Sequence, residues 1–242
     1  MKCCLCLQEK KLVDAHIIPK WAFMYLYPES KVQPLILIGT EGNKKSRVGV
    51  YDPNILCKEC DGFIGIFNNY GKKVFLEKQL EDSQFQGLAY VIKDIKPEEL
   101  KIFLLSVIWR ASISKREEVK AISLGPYEDK IHNLLFKKKE NKDITPDLKE
   151  FSILISRFGE GGYPDLTNKN IQLPLFTRVD GVNFNIVYFP RGFKIYIKTD
   201  KRLISEPFNK LELKDGDLIV LKLKNFQESK EFYQMRKFLK DK

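Results

Sequence analysis

The period of hydrophobic positions changes along this chain, and the changes divide it. In residues 76–144 apolar side chains recur at helical steps. Leu100, Phe103, Leu104, Val107, Ile108 and Ala111 follow Lys96-Pro97-Glu98-Glu99, where proline and two acids suit a first helical turn. Tyr127 to Lys138 reads as a second helix, running into the charged stretch Lys137-Lys138-Lys139-Glu140-Asn141-Lys142. From residue 145 onward the pattern is that of strands. Phe151 to Phe158, Asn183 to Phe189, Phe193 to Thr199 and Leu218 to Leu223 are β-branched and aromatic runs. They are separated by Gly161-Gly162, Asp180-Gly181, Pro190-Arg191-Gly192 and Asp215-Gly216-Asp217. Strands without intervening helices predict an antiparallel sheet, and Ser229 to Lys240 reads as a short basic helix. Residues 1–75 follow neither pattern. They hold a short apolar run, Leu35 to Ile38, and a Gly/Lys-rich turn from Gly39 to Gly49. The expected class is α+β: an N-terminal module (1–75), a helical segment packed on it (76–144) and a β-rich domain with a C-terminal helix (145–242).

Composition adds direction. Within 242 residues there are 42 Lys and Arg against 32 Asp and Glu, a formal net charge of +10. The excess is spread over all three regions rather than held in one tail. A basic surface favours a polyanionic partner, and nucleic acid is the commonest one. The start, Met-Lys-Cys-Cys-Leu-Cys, lacks the apolar core of a signal peptide, and no run approaches the roughly 18 apolar residues of a membrane span. The reading is a cytoplasmic protein. In a reducing compartment its cysteines are to be tested against metal binding rather than disulfides.

That test is informative. Cys3-Cys4-Leu5-Cys6 and Cys57-Lys58-Glu59-Cys60 are two C-x2-C pairs, and together they use four of the five cysteines, all of which lie in residues 1–75. Each such turn aims two sulfurs at one point, and two turns complete the closed tetrahedral shell of structural zinc. Cys4 is read as a spare thiol. The long gap between the pairs implies that something folded lies between them.

Within and beside that gap lie Leu12-Val13-Asp14-Ala15-His16-Ile17-Ile18-Pro19-Lys20-Trp21, Asp52-Pro53-Asn54-Ile55-Leu56-Cys57 and Asp61, which opens a run to Asn68. A His-Ile-Ile-Pro strand end, an asparagine in the loop that follows, and a Leu-Cys-x-x-Cys entry into a helix resemble the HNH (ββα-metal) endonuclease family. The likeness covers about residues 1–75 and extends weakly to the helix with Ser106-Val107-Ile108-Trp109-Arg110-Ala111. It implies a zinc-stabilised ββα-metal module that hydrolyses phosphodiester bonds, with Mg²⁺ or Mn²⁺ as the catalytic ion. Relatives of this kind are often bacterial defence or restriction-like proteins.

The chemistry suits these residue types. Phosphodiester hydrolysis needs a base to deprotonate water and a divalent cation to stabilise charge on the phosphate. Imidazole titrates near neutrality. Of the two histidines, His132 sits in a helical segment with no motif around it, so a histidine base must be His16. The resemblance implies that Asn54 braces the loop and orients His16, and that a metal ligand falls at or after the second knuckle, at Asp61. Two departures stand out. Ala15 occupies a position where the family often has a metal ligand, and Asp61 stands where many members have His or Asn. Asp14, two residues before His16 on an extended strand, and Asn68, seven after Asp61 on a helix, are the substitute cation ligands. Asp61 also suits a helix N-terminus by itself.

Lys44, Lys45 and Arg47 in the Gly-bearing turn are read as phosphate contacts, with Lys20 and Trp21 lining the cleft. Trp109-Arg110 reads as packing rather than substrate contact. Residues 145–242 carry no P-loop or Rossmann loop, and a protein partner or oligomer contact is the open use for that region. The function expected is a metal-dependent endonuclease acting on nucleic acid, with double-stranded DNA ahead of RNA. Two alternatives stay open: a non-catalytic zinc module that binds nucleic acid, and an interaction scaffold in which zinc only stabilises the fold.

Overall fold

The chain begins with a strand, an insertion, a second strand and a helix. In the computed structural model β1 (Leu12–His16) is followed by the short helix α1 (Lys20–Met24), then β2 (Leu35–Gly39), β3 (Gly42–Ser46), β4 (Tyr51–Cys57) and the helix α2 (Lys58–Lys72). Next come β5 (Glu81–Asp82), β6 (Ala89–Ile95), α3 (Pro97–Ile113), α4 (Tyr127–Lys139) and α5 (Thr145–Leu148). The last strands are β7 (Ile153–Gly159), β8 (Leu175–Val179), β9 (Val182–Phe189), β10 (Phe193–Lys198) and β11 (Gly216–Asn225). The structure describes residues 1–26, 35–39, 42–46, 49–83, 87–159, 168, 171–214, 216–233 and 236.

β1 and β4 pair antiparallel, so the 34 residues between His16 and Tyr51 are an insertion into one hairpin. β2 and β3 make a ribbon of their own inside it. The expected Gly/Lys turn from Gly39 to Gly49 is therefore partly a strand. α2 starts directly at the end of β4. Its first turn carries Glu59 and Asp61 and its last turn Lys72, which matches the helix dipole. It buries Cys60, Ile64, Phe67 and Gly71, one stripe at helical spacing.

α3 is the central element. Leu100 and every residue from Ile102 to Ala111 are buried, so it is packed on all sides. Gly71 lets α2 approach it closely: a Cβ at that position would lie 2.4 Å from a Phe103 ring carbon.

The seven-stranded sheet runs in the order β5-β6-β11-β7-β10-β9-β8. It differs from expectation in two respects. β11 is antiparallel to β6 but parallel to β7, so the sheet is mixed. The middle region also gives it β5 and β6, so residues 76–144 are not wholly helical. Only the turns fix register locally. Asp180 and Gly181, at φ 48° and 79°, close the β8–β9 hairpin as a two-residue turn with both central residues left-handed. Residues 230–233 and 236 are helical, and the rest of the expected C-terminal helix lies outside the described residues.

One hydrophobic core joins the regions, running from Cys3 and Leu5 through α2 and α3 to Ile155, Phe189, Ile195 and Val220 of the sheet. Its hinge is aromatic. Phe189 stacks on Trp21 at 5.5 Å and on Phe75 at 5.2 Å, and Phe103 lies 5.4 Å away. Among the described residues, no helix is long and apolar enough to cross a membrane.

Candidate metal centre and adjoining cleft

The two C-x2-C turns meet. The Sγ atoms of Cys3, Cys6, Cys57 and Cys60 all lie within 4.8 Å of one another, and these four residues could hold one metal ion. A tetrahedral thiolate shell with metal–sulfur bonds of about 2.3 Å requires sulfurs about 3.8 Å apart. Cys6 and Cys57 are already 4.0 Å apart. The donor set and spacing fit structural zinc.

Local main-chain bonds build the cluster. Leu7 N–H donates to Cys3 O at 2.9 Å, which closes the first knuckle, and Leu7 adopts a φ of 57° to do so. The second knuckle straddles the β4–α2 junction, with Cys57 as N-cap and Cys60 in the first turn. The knuckles are stitched together by Cys4 N–H to Ile55 O at 2.8 Å and Cys57 N–H to Cys3 Sγ at 3.3 Å. A hydrogen bond from Cys60 pulls the Cys3 thiol down to about 4 and pushes the Cys60 thiol up. Burial raises the Cys4 thiol, and Cys4 stands outside the cluster.

His16 ends β1, half-buried, with its ring 6.0 Å from that of Tyr51. Ile17, Ile18 and Pro19 behind it are buried, which anchors the strand end. Asp61 lies in the first turn of α2, also half-buried. Burial raises its carboxyl, while the charges of Arg110 and His16 act in the opposite direction. His16, Asp61 and Arg110 therefore share one electrostatic neighbourhood.

Arg110 packs α3 against residues 1–75, in keeping with its reading as a packing residue, and it also makes polar contacts there. Its side chain is fully buried on α3, and its Nη1 donates to His16 O at 2.5 Å while Nη2 donates to Asn68 Oδ1 at 3.2 Å. Desolvation lowers it to about 10, and the charge of Asp61 opposes that shift. The sequence signal was a charge inside an otherwise apolar helix, which reads equally well as packing.

Other residues fall as follows. Asp61 and Asn68 both face Arg110, as their seven-residue spacing on a helix requires, but the Asn68 amide oxygen already accepts from the guanidinium. Asp14 is exposed, at the point where the β1–β4 register slips between Val13 and Ala15. Pro53-Asn54-Ile55 opposes it on β4. Asn54 is exposed, and its N–H donates to Asp52 Oδ1 at 2.8 Å. Asp52 itself is buried and accepts from Ser114 Oγ at 2.6 Å, tying β4 to the end of α3. Lys20 is exposed at the start of α1. Trp21 belongs to the aromatic hinge and donates from Nε1 to Asn68 O at 3.0 Å. Lys44 and Lys45 lie on β3, and Arg47 lies outside the described residues. Ala15 is fully buried.

Among the described residues, the four cysteines are the only cluster of three or more His, Cys, Asp or Glu side chains close enough to bind a metal. No family model matches this sequence, and no curated protein or solved structure is significantly similar to it.

Proposed function

We propose that this chain is a metal-dependent endonuclease of the HNH (ββα-metal) kind, anchored by structural zinc, with His16 as the general base. The observation that carries the reading is an order of elements. A hairpin (β1 and β4) runs straight into a helix (α2), with four cysteines pinning the junction and His16 and Asp61 sharing one neighbourhood.

His16 takes the proton of a water that attacks the scissile phosphorus, while the P–O bond to the leaving sugar oxygen breaks and that oxygen takes up a proton from solvent. A Mg²⁺ or Mn²⁺ ion would supply charge neutralisation at the phosphate. Asp61 would be its first protein ligand, with Asp14 as helper, since the Asn68 amide oxygen is engaged by Arg110. The half-buried Asp61 offers the hard oxygen donor such an ion takes. A sparse protein shell of one or two carboxylates, completed by water and substrate phosphate, is usual for Mg²⁺. The net charge of +10 favours the phosphate backbone as partner, with Lys20, Lys44, Lys45 and Arg47 as contacts. DNA stands ahead of RNA as substrate.

Ala15 favours a second reading, a zinc-stabilised nucleic-acid-binding protein that does not cut. Its methyl group is buried just where a ligand side chain is often found beside the base. Incubating supercoiled plasmid and labelled duplexes with the protein and Mg²⁺ or Mn²⁺ separates the two. Divalent-ion-dependent nicking or cleavage is expected. Salt-sensitive binding without cleavage in any divalent ion would support the second reading instead.

A further inference from the structure

We propose that Arg110 is a positioning residue, holding the main chain of His16 so that its ring keeps a fixed relation to Asp61. The inference rests on the nuclease reading for its catalytic meaning, but the tether itself does not.

The guanidinium is wholly buried, so it does not touch substrate. Its planar fork joins three elements at once. Nε donates to Ser106 O at 3.1 Å on its own helix, Nη1 to His16 O at 2.5 Å on β1, and Nη2 to Asn68 Oδ1 at 3.2 Å on α2. Ser106 Oγ stands 3.5 Å from Nη2 and itself donates to Phe103 O at 2.7 Å. On the other side Ile17 N–H donates to Val50 O at 3.0 Å. The peptide unit after His16 is therefore held through both its oxygen and its nitrogen.

A buried ion is a poor way to gain stability, because its desolvation penalty rivals its attractions. Every side chain from Ile102 to Trp109 except Ser106 is apolar, so an apolar residue at position 110 would satisfy packing alone. A rigid, permanently charged fork provides direction as well. It meets a carbonyl, an amide oxygen and the field of Asp61 in a geometry that neither a lysine nor an apolar chain reproduces. Catalytic groups tolerate little displacement, and a shift near 1 Å can reduce rate by about a hundredfold.

The chain has only two histidines, so histidine-labelled protein gives two ring signals by NMR, and His132→Gln assigns them. Arg110→Lys keeps the charge and removes the fork. With zinc content and far-ultraviolet dichroism unchanged, it should move or broaden the His16 ring signal and leave that of His132 in place. It should also lower kcat by about tenfold or more at a KM close to wild type. Asn68→Leu, which removes one acceptor and keeps the arginine, should shift the His16 signal in the same direction by less. If Arg110→Lys fails to fold, Asn68→Leu decides alone. A His16 signal unmoved in the folded variants overturns the proposal. A wild-type protein that cuts nothing while the His16 signal still responds would sink the nuclease reading and leave the tether standing.

Discussion

His132 on α4 lies 3.0 Å, through Nε2, from the main-chain oxygen of Leu5, inside the first cysteine knuckle. A carbonyl only accepts, so Nε2 carries the hydrogen. The ring also lies nearly parallel to Phe136, at 11°, and 6.0 Å from Trp109. The histidine with no motif around it thus joins the helical layer to the metal centre. His132→Ala should lower stability by about 1–2 kcal/mol, one part-buried hydrogen bond plus ring contacts, measured by urea unfolding. The cleavage activity of the folded fraction should be retained.

The four sulfurs make a second prediction. Purified protein should contain about one zinc per chain by elemental analysis. Cys57→Ser, or prolonged treatment with a strong chelator, should lower the melting temperature sharply and loosen residues 1–75. Cys4→Ser should leave both zinc content and melting temperature near wild type. Metal retained in full by Cys57→Ser would contradict the four-cysteine shell.

Two glycines on α2 should respond in opposite directions to the same substitution. Gly71→Ala drives a methyl group into the Phe103 ring and should destabilise by about 1–3 kcal/mol. Gly65→Ala meets nothing within 4 Å and should stabilise by about 0.5–1 kcal/mol through helix propensity. Equal effects from the two would show that the α2–α3 approach is looser than described.

Acid sensitivity should involve Asp200. Its carboxylate accepts from Arg202 Nε and Nη2 and from the Asn183 and Arg202 N–H groups, and the Arg202 side chain foremost holds it well below the usual range. A folded-state value below the unfolded one adds stability that is complete above the unfolded pKa, about 3.9, and is lost as pH falls toward the folded one. The stability gap between wild type and Asp200→Asn should therefore be flat near neutral pH and narrow below about pH 4. A gap that widens on acidification would reverse the sign.

The parts legible in the sequence were those encoded over a few residues. The knuckles are local turns, so their spacing alone announced the cluster that the fold assembles. α3 and α4 follow from periodicity and their first-turn acids, and the β9–β10 pair from its Pro190-Arg191-Gly192 turn. What stayed hidden depends on distant partners. β8 is exposed on both faces, so Leu175-Phe176-Thr177-Arg178-Val179 carries no alternation to read. β6 lies in a stretch assigned to helix, and it is a strand because β11 pairs with it more than a hundred residues later. The parallel β7–β11 contact has no local signature at all. Arg110 is legible as packing, but its acceptors, His16 and Asn68, lie 94 and 42 residues away and have no local signal.

The shared neighbourhood of His16 and Asp61 is tested most directly by a plasmid cleavage assay with Mg²⁺ or Mn²⁺, comparing wild type, His16→Ala and His132→Ala at equal zinc content. Wild type and His132→Ala should cut, and His16→Ala should lose at least about a hundredfold in rate while still binding DNA. Equal cleavage by His16→Ala would contradict the assignment of the base, and no cleavage by wild type with any divalent ion would contradict the nuclease itself.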